Sequence, residues 1–220
     1  MVCERDCARH WRPPLLSDAP GRAVFLDRDG VINENRDDHV KSWTEFVFLP
    51  GAIESIVALS RARCRILVVT NQAVINRGLA SRASIDQIHA RLCDAVARAG
   101  GHIDEVLYCP HRPDEGCGCR KPQPGLLIAA ADRYGLDLTR SYMVGDSFGD
   151  IAAGRSVGCE TILVRTGRGN RQLESSDAAR FANYIVADDL QQAARLILGA
   201  RGWGASPRTV PVPIRVPARR

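Results

Sequence analysis

The sequence predicts a doubly wound α/β domain built on a parallel, Rossmann-like sheet, and three observations carry that expectation. Short β-branched runs alternate along the chain with stretches of helical period. The runs are apolar on both sides, as strands covered by helices on two faces must be. Several of them end in acids, hydroxyls or amides, where ligands bind in such sheets.

Taken in order, the strands are expected at Ala23–Asp27, Ile66–Thr70, Val106–Tyr108, Tyr142–Gly145, Thr161–Val164 and Tyr184–Val186. Helices are expected at Ala52–Arg61, over a run opened by a capping box at Ser84-x-x-Gln87 and stopped by Gly100-Gly101, and at Leu126–Tyr134, Asp150–Val157 and Leu190–Leu198. Within the second run, Ile85, Ile88, Leu92 and Val96 share one face. Prolines interrupt residues 1–20 and 199–220, so these read as a flexible N-terminal arm and a flexible basic Pro/Arg-rich tail around a domain at 21–198.

Composition narrows the function. The chain has 220 residues, 45% of them hydrophobic and 25% charged, which is enough apolar mass for a core. Its net charge of +5 matches the five arginines Arg201, Arg208, Arg215, Arg219 and Arg220. The body is therefore electroneutral and lacks the basic track that nucleic acid requires. No run approaches a bilayer span and Met1–Pro20 lacks an apolar signal centre, so a cytoplasmic protein with no membrane or nucleic-acid partner is expected, as a monomer. Eight cysteines without a secretion signal suggest thiols or metal ligands rather than disulfides.

Four segments carry chemistry. Phe25-Leu26-Asp27-Arg28-Asp29-Gly30 ends a strand in two carboxylates at i, i+2, which an extended chain projects to one side with Arg28 sent the other way. Val69-Thr70-Asn71-Gln72 supplies a hydroxyl and two amides, Arg120-Lys121-Pro122 supplies cations, and Gly145-Asp146-Ser147-Phe148-Gly149-Asp150 ends another strand in acids. A fifth segment, Cys109-Pro110-His111 followed by Cys117-Gly118-Cys119, offers three thiolates and an imidazole, a donor set for tetrahedral structural zinc. His89 and His102 read as ordinary helix and loop residues, and Gly167-Arg168-Gly169 as a turn.

With these residues in view, the chain resembles the haloacid dehalogenase superfamily of phosphatases, whose four motifs match Asp27-x-Asp29, Thr70, Lys121 and Asp146-x-x-x-Asp150 in order. DRDGVIN, TNQ, CPH with C-x-C-R-K-P-x-P-G, and MVGD are similar to the D-glycero-D-manno-heptose 1,7-bisphosphate phosphatases and their histidinol-phosphate phosphatase relatives, over roughly residues 22–190. The resemblance implies a central first strand and Mg²⁺-dependent hydrolysis of a sugar phosphate through an aspartyl-phosphate. Asp27 would be the nucleophile, Asp29 the acid and base, and Thr70 and Lys121 the holders of the phosphoryl oxygens. Asn71, Gln72, Arg77 and Arg120 would contact substrate. Asp27, the Asp29 carbonyl and Asp146 would ligate Mg²⁺ with Asp150 behind them, and the loop 109–119 would hold zinc through Cys109, His111, Cys117 and Cys119. Short spacings between the motifs imply no cap domain. Asn35–Val40 and Ala73–Asn76 depart from the family pattern and leave the sugar open, with histidinol phosphate or another small sugar phosphate as the alternative.

Overall fold

The computed structural model describes residues 21–181 and 183–200. The arm, including its Cys3-x-x-x-Cys7-x-x-His10 pattern, and the tail beyond Ala200 lie outside the described residues. Six strands, β1 (Ala23–Leu26), β2 (Arg65–Asn71), β3 (Glu105–Cys109), β4 (Tyr142–Gly145), β5 (Glu160–Val164) and β6 (Ile185–Ala187), form one sheet in the order β3-β2-β1-β4-β5-β6. Every pairing is parallel, with Leu26 opposite Val68 on one side and Val144 on the other. The first strand is central, as expected.

The helices are α1 (Ala52–Arg61), α2 (Arg82–Arg98), α3 (Gly125–Tyr134), α4 (Phe148–Ser156), α5 (Gly169–Glu174) and α6 (Leu190–Gly199). Val24, Leu26, Ile66 and Val68 pack with Ile56, Ile88, Leu92 and Ile197 of α1, α2 and α6 on one face. Ala23, Phe25, Leu67 and Val69 pack with Leu126, Leu127 and Ala153 of α3 and α4 on the other. Alternate residues of one strand thus enter two separate cores, which explains runs without polar alternation. Full burial of each large aliphatic or aromatic side chain contributes roughly 1.5–3 kcal/mol.

Two local expectations need correction. Helix α2 is capped one turn earlier than Ser84: the Ser81 side chain accepts from the Ser84 backbone N–H. A serine three residues upstream intercepts the N–H that the expected cap would have left unpaired. Gly167-Arg168-Gly169 is more than a turn, because α5 starts at Gly169 directly after it. Glycine is disfavoured inside helices but tolerated at their first position, where propensity alone hides the start.

Sequence order runs outward from β1 through β2 to β3, then returns to place β4 on the other side of β1. The reversal falls between β1 and β4, and their carboxyl ends form the crevice where an open α/β sheet binds its ligand. Asp27 and Asp146 each follow directly on one of these two strands.

Candidate active site

Strand β1 ends at Leu26, and the chain then curls instead of continuing extended. The backbone N–H groups of Val31, Ile32 and Asn33 all converge on the Arg28 carbonyl. This curl overturns the expectation for Arg28, whose side chain folds back onto Asp29 rather than pointing away. Its Nη2 lies 3.0 Å from both Asp29 oxygens. Asn33 Nδ2 donates to Asp29 Oδ1 at 2.8 Å and Gln72 Nε2 to Asp29 Oδ2 at 3.0 Å. Burial would raise the Asp29 carboxyl, but Arg28 and these amides outweigh it and hold the group below the ordinary carboxylate range.

Asp27 lies beside a buried ammonium. Lys121 Nζ is 2.9 Å from Asp27 Oδ1 and 2.6 Å from Asp150 Oδ1, and it donates to the Val69 carbonyl at 2.6 Å. The Arg28 backbone N–H also donates to Asp27 Oδ1, at 2.8 Å. Burial works against charge on Lys121, yet Asp150 and Asp27 together raise its pKa. Asn71, the last residue of β2, fixes the loop that carries this lysine to the centre: its Nδ2 donates to the Lys121 carbonyl at 3.0 Å and its Oδ1 accepts the Lys121 N–H at 3.1 Å. Gln72 is buried and bridges Asp29 to the Thr70 hydroxyl, which it meets at 3.0 Å.

Asp146 is clamped by two glycines. At Gly30, with φ of 86°, a Cβ would fall 2.1 Å from Asp146 Oδ2; at Gly167, with φ of 57°, it would fall 2.3 Å from the same atom. Only residues without a side chain permit both approaches. The Arg168 N–H donates to Asp146 Oδ2 at 2.8 Å, and the Thr166 hydroxyl ties the α5 loop to the Gly30 carbonyl. Asp150 closes a capping box with Ser147 at the start of α4, using Oδ2, while its Oδ1 meets Lys121.

Asp27, Asp146 and Asp150 each bring a carboxylate oxygen within 4.8 Å of the others. Burial and the neighbouring acids push Asp146 up to about 8, and burial, opposed by Lys121, pushes Asp27 up to about 6. Asp146 and Asp150 are buried and Asp27 is partly so, and the reluctance of Asp146 and Asp27 to ionise beside a single ammonium fits hard oxygen donors that a divalent cation would hold as carboxylates. The thiol loop passes a different test. Cys119 Sγ lies 3.2 Å from Cys109 Sγ, 3.5 Å from Cys117 Sγ and 3.3 Å from His111 Nδ1, and Cys109 Sγ lies 3.6 Å from Cys117 Sγ. Four sulfur ligands about 2.3 Å from zinc form a tetrahedron with edges of about 3.8 Å, so these donors need little adjustment to close on a zinc ion.

Arg120 reaches back to the His111 carbonyl at 3.2 Å. Arg77 Nη1 lies 3.2 Å from His39 Nε2, in an exposed contact. Arg28 and His89 were not legible as site residues. A buried polar residue on an otherwise apolar helix face, at position 89 between Ile88 and Leu92, was the available signal.

Comparisons with known proteins fit this geometry. The HAD-hydrolase-like family model matches residues 118–193. The D-glycero-β-D-manno-heptose-1,7-bisphosphate 7-phosphatase of Pseudomonas aeruginosa is 47% identical over 175 residues, covering 80% of this chain and 97% of that one. The chain belongs to the haloacid dehalogenase-like phosphatases. The Pseudomonas putida protein of the same name is 43% identical over 80% of this phosphatase and 99% of its own length. Among solved structures, the D,D-heptose 1,7-bisphosphate phosphatase of B. bronchiseptica, complexed with magnesium and phosphate, superposes with a TM-score of 0.76. It is 39% identical and covers 81% of this chain and 98% of that one. Like these relatives, the chain is a phosphoric monoester hydrolase. Among the described residues no helix is long and apolar enough to cross a membrane.

Proposed function

We propose that this phosphatase hydrolyses the C7 phosphate of D-glycero-D-manno-heptose 1,7-bisphosphate, in the synthesis of nucleotide-activated heptose. The observation that carries the reading is the meeting of Asp27, Lys121, Asp146 and Asp150 at the β1–β4 crevice, in a chain nearly half identical to a bisphosphatase of that specificity.

Lys121 and the Arg28 N–H both hold Asp27 Oδ1, which leaves Oδ2 to attack phosphorus. The new bond is the aspartyl-phosphate; the bond broken is that between phosphorus and the sugar oxygen, which leaves with a proton from Asp29. In the free protein Arg28 favours the Asp29 carboxylate, and an arriving phosphate dianion favours its protonation. Once the sugar departs, the Asp29 carboxylate takes a proton from water, whose oxygen attacks phosphorus and releases Asp27. Lys121 and Thr70 hold phosphoryl oxygens as charge shifts among them. Mg²⁺, held by the carboxylates of Asp27 and Asp146 and the carbonyl of Asp29 with Asp150 behind, would supply charge neutralisation. Zinc on Cys109, His111, Cys117 and Cys119 would fix the loop that delivers Arg120 and Lys121. Arg120 and Arg77 are the cations suited to a second phosphate, which a cationic substrate such as histidinol phosphate lacks. The short β1–β2 and β2–β3 connections favour an open site without a cap domain.

Steady-state assays over the heptose 1,7-bisphosphate, the heptose 7-phosphate, histidinol phosphate and other sugar phosphates test the reading. The bisphosphate should give the highest kcat/KM, and Arg120→Ala should narrow its advantage over the monophosphate. Better turnover of histidinol phosphate than of any bisphosphate would replace the substrate while leaving the mechanism.

A further inference from the structure

The side chain between the two acids of the first motif is fully buried. Arg28 is among the largest side chains that the protein encloses completely, and its guanidinium has two polar engagements. Nη2 contacts both oxygens of Asp29, and Nη1 lies 3.1 Å from His89 Nε2. The ring of Phe46 covers it at 5.9 Å. A guanidinium can only donate, so His89 Nε2 is the acceptor and the imidazole proton sits on Nδ1. His89 is buried on α2, with its ring centroid 5.2 Å from that of Tyr108 on β3. The Tyr108 hydroxyl donates to Asp86 at 2.7 Å and accepts from Arg82 at 2.9 Å, both on α2. Rigid contacts therefore run from α2 and β3 through His89 and Arg28 to the Asp29 carboxyl.

Taking a cation out of water is costly, and a well-packed apolar pair is often at least as stable as a buried ion pair. Packing alone does not account for an arginine here. What the arrangement supplies is direction: a fork whose far end is fixed can hold a carboxyl in one orientation. We propose that Arg28 and His89 are positioning residues for proton transfer, with His89 as the fixed acceptor that orients Arg28, and Arg28 aiming the Asp29 carboxyl at the leaving oxygen. The inference rests on the role of Asp29 in the proposed mechanism.

The test uses the full chain with Mg²⁺ and compares single-turnover rates on p-nitrophenyl phosphate, whose leaving group needs little protonation, with those on the best sugar phosphate substrate of the unsubstituted protein. His89→Leu should slow the sugar phosphate by about 10–100-fold and the aryl phosphate by less than about 3-fold. His89→Gln, which keeps an acceptor, should restore the sugar phosphate rate to within about 3-fold, and Arg28→Lys should show the selective loss again. Imidazole ¹⁵N spectra provide a readout without turnover: His89 should be neutral with its proton on Nδ1, and Arg28→Lys should shift the Nε2 resonance. Equal loss on both substrates, no loss, a glutamine variant as slow as the leucine variant, or a proton on Nε2 would each overturn the proposal. If His89→Leu does not fold, Arg28→Lys decides, since a loss equal on both substrates overturns it and a selective loss supports it. An unsubstituted protein that hydrolyses another sugar phosphate changes only the substrate on which the contrast is read. One that hydrolyses no phosphoester removes the functional reading, and this inference with it.

Discussion

The donors of Cys109, His111, Cys117 and Cys119 come from the end of β3 and the loop that follows it, whereas Asp27 and Asp146, which follow β1 and β4, and Asp150, in the first turn of α4, come from elements that are neighbours only in space. The first set lies within one short, continuous stretch of chain, Cys109–Cys119. The carboxylate cluster depends on the order of the sheet, on two glycines that let loops close over Asp146, and on a lysine delivered by the thiol loop itself. A set complete in itself suits a structural ion; a set assembled from several elements leaves directions open for substrate. The two clusters are joined at Arg120-Lys121, immediately after Cys119, and Asn71 bolts that junction to β2.

Substitutions can separate the two. Asp27→Asn should reduce kcat on the order of 10⁴-fold or more, since an amide cannot be the attacking oxygen. It also removes one charge from a crowded set of acids, so the metal-free protein should melt no lower than the parent, and a lower Tm would show that Asp27 supports the fold. Cys117→Ser should do the reverse: zinc content measured by metal analysis should fall from about one per chain towards none, and the Tm should drop clearly. Turnover should fall by a smaller factor, about 10–100-fold, through displacement of Lys121. Unchanged turnover in a zinc-free variant would disconnect the loop from the chemistry.

Gly30→Ala tests the other support, because its Cβ would run into Asp146 in a left-handed backbone conformation. A loss of about 1–3 kcal/mol in denaturant unfolding is expected, together with weakened Mg²⁺ activation. The smallest effect is one of pH. Burial, reinforced by Arg28, holds the His89 pKa well below 6.5 in the folded protein. The unfolded chain therefore binds the proton first as pH falls below about 6.5, and stability that is complete above that value declines beneath it. Between pH 7.5 and 5.5 the protein should lose roughly 1 kcal/mol more than His89→Gln, read from urea midpoints.

These regions also differ in how far the sequence disclosed them. Strand positions and the parallel class were readable because runs such as Ile66–Thr70 are apolar on both faces, and the thiol set was readable because its spacing is local. The four phosphatase motifs were readable by resemblance, as was the central place of β1. Arg28 was not, because alternation along an extended strand says nothing about a chain that curls after Leu26. His89 was hidden for a related reason: a helical histidine acquires meaning only from the side chain it faces, and Arg28 is brought to it by the tertiary fold. Asn71 looked like a substrate contact, but both ends of its amide are engaged with the Lys121 backbone, a pairing across distant segments that spacing cannot reveal.

The reversal of strand order beside β1 also has a temporal consequence during synthesis. The chain emerges as β1, β2 and β3 with the thiol loop following, so the sulfur and nitrogen donors can gather while the later half is still being made. The crevice cannot exist until β4 returns to β1, a closure spanning 118 residues at the bond from the Ala23 backbone to the Ser141 hydroxyl. Such long-range pairing has to overcome its loop-closure entropy before it is rewarded by contacts. No intermediate lacking that seam can present Asp27 and Asp146 together, so hydrolytic competence cannot precede it.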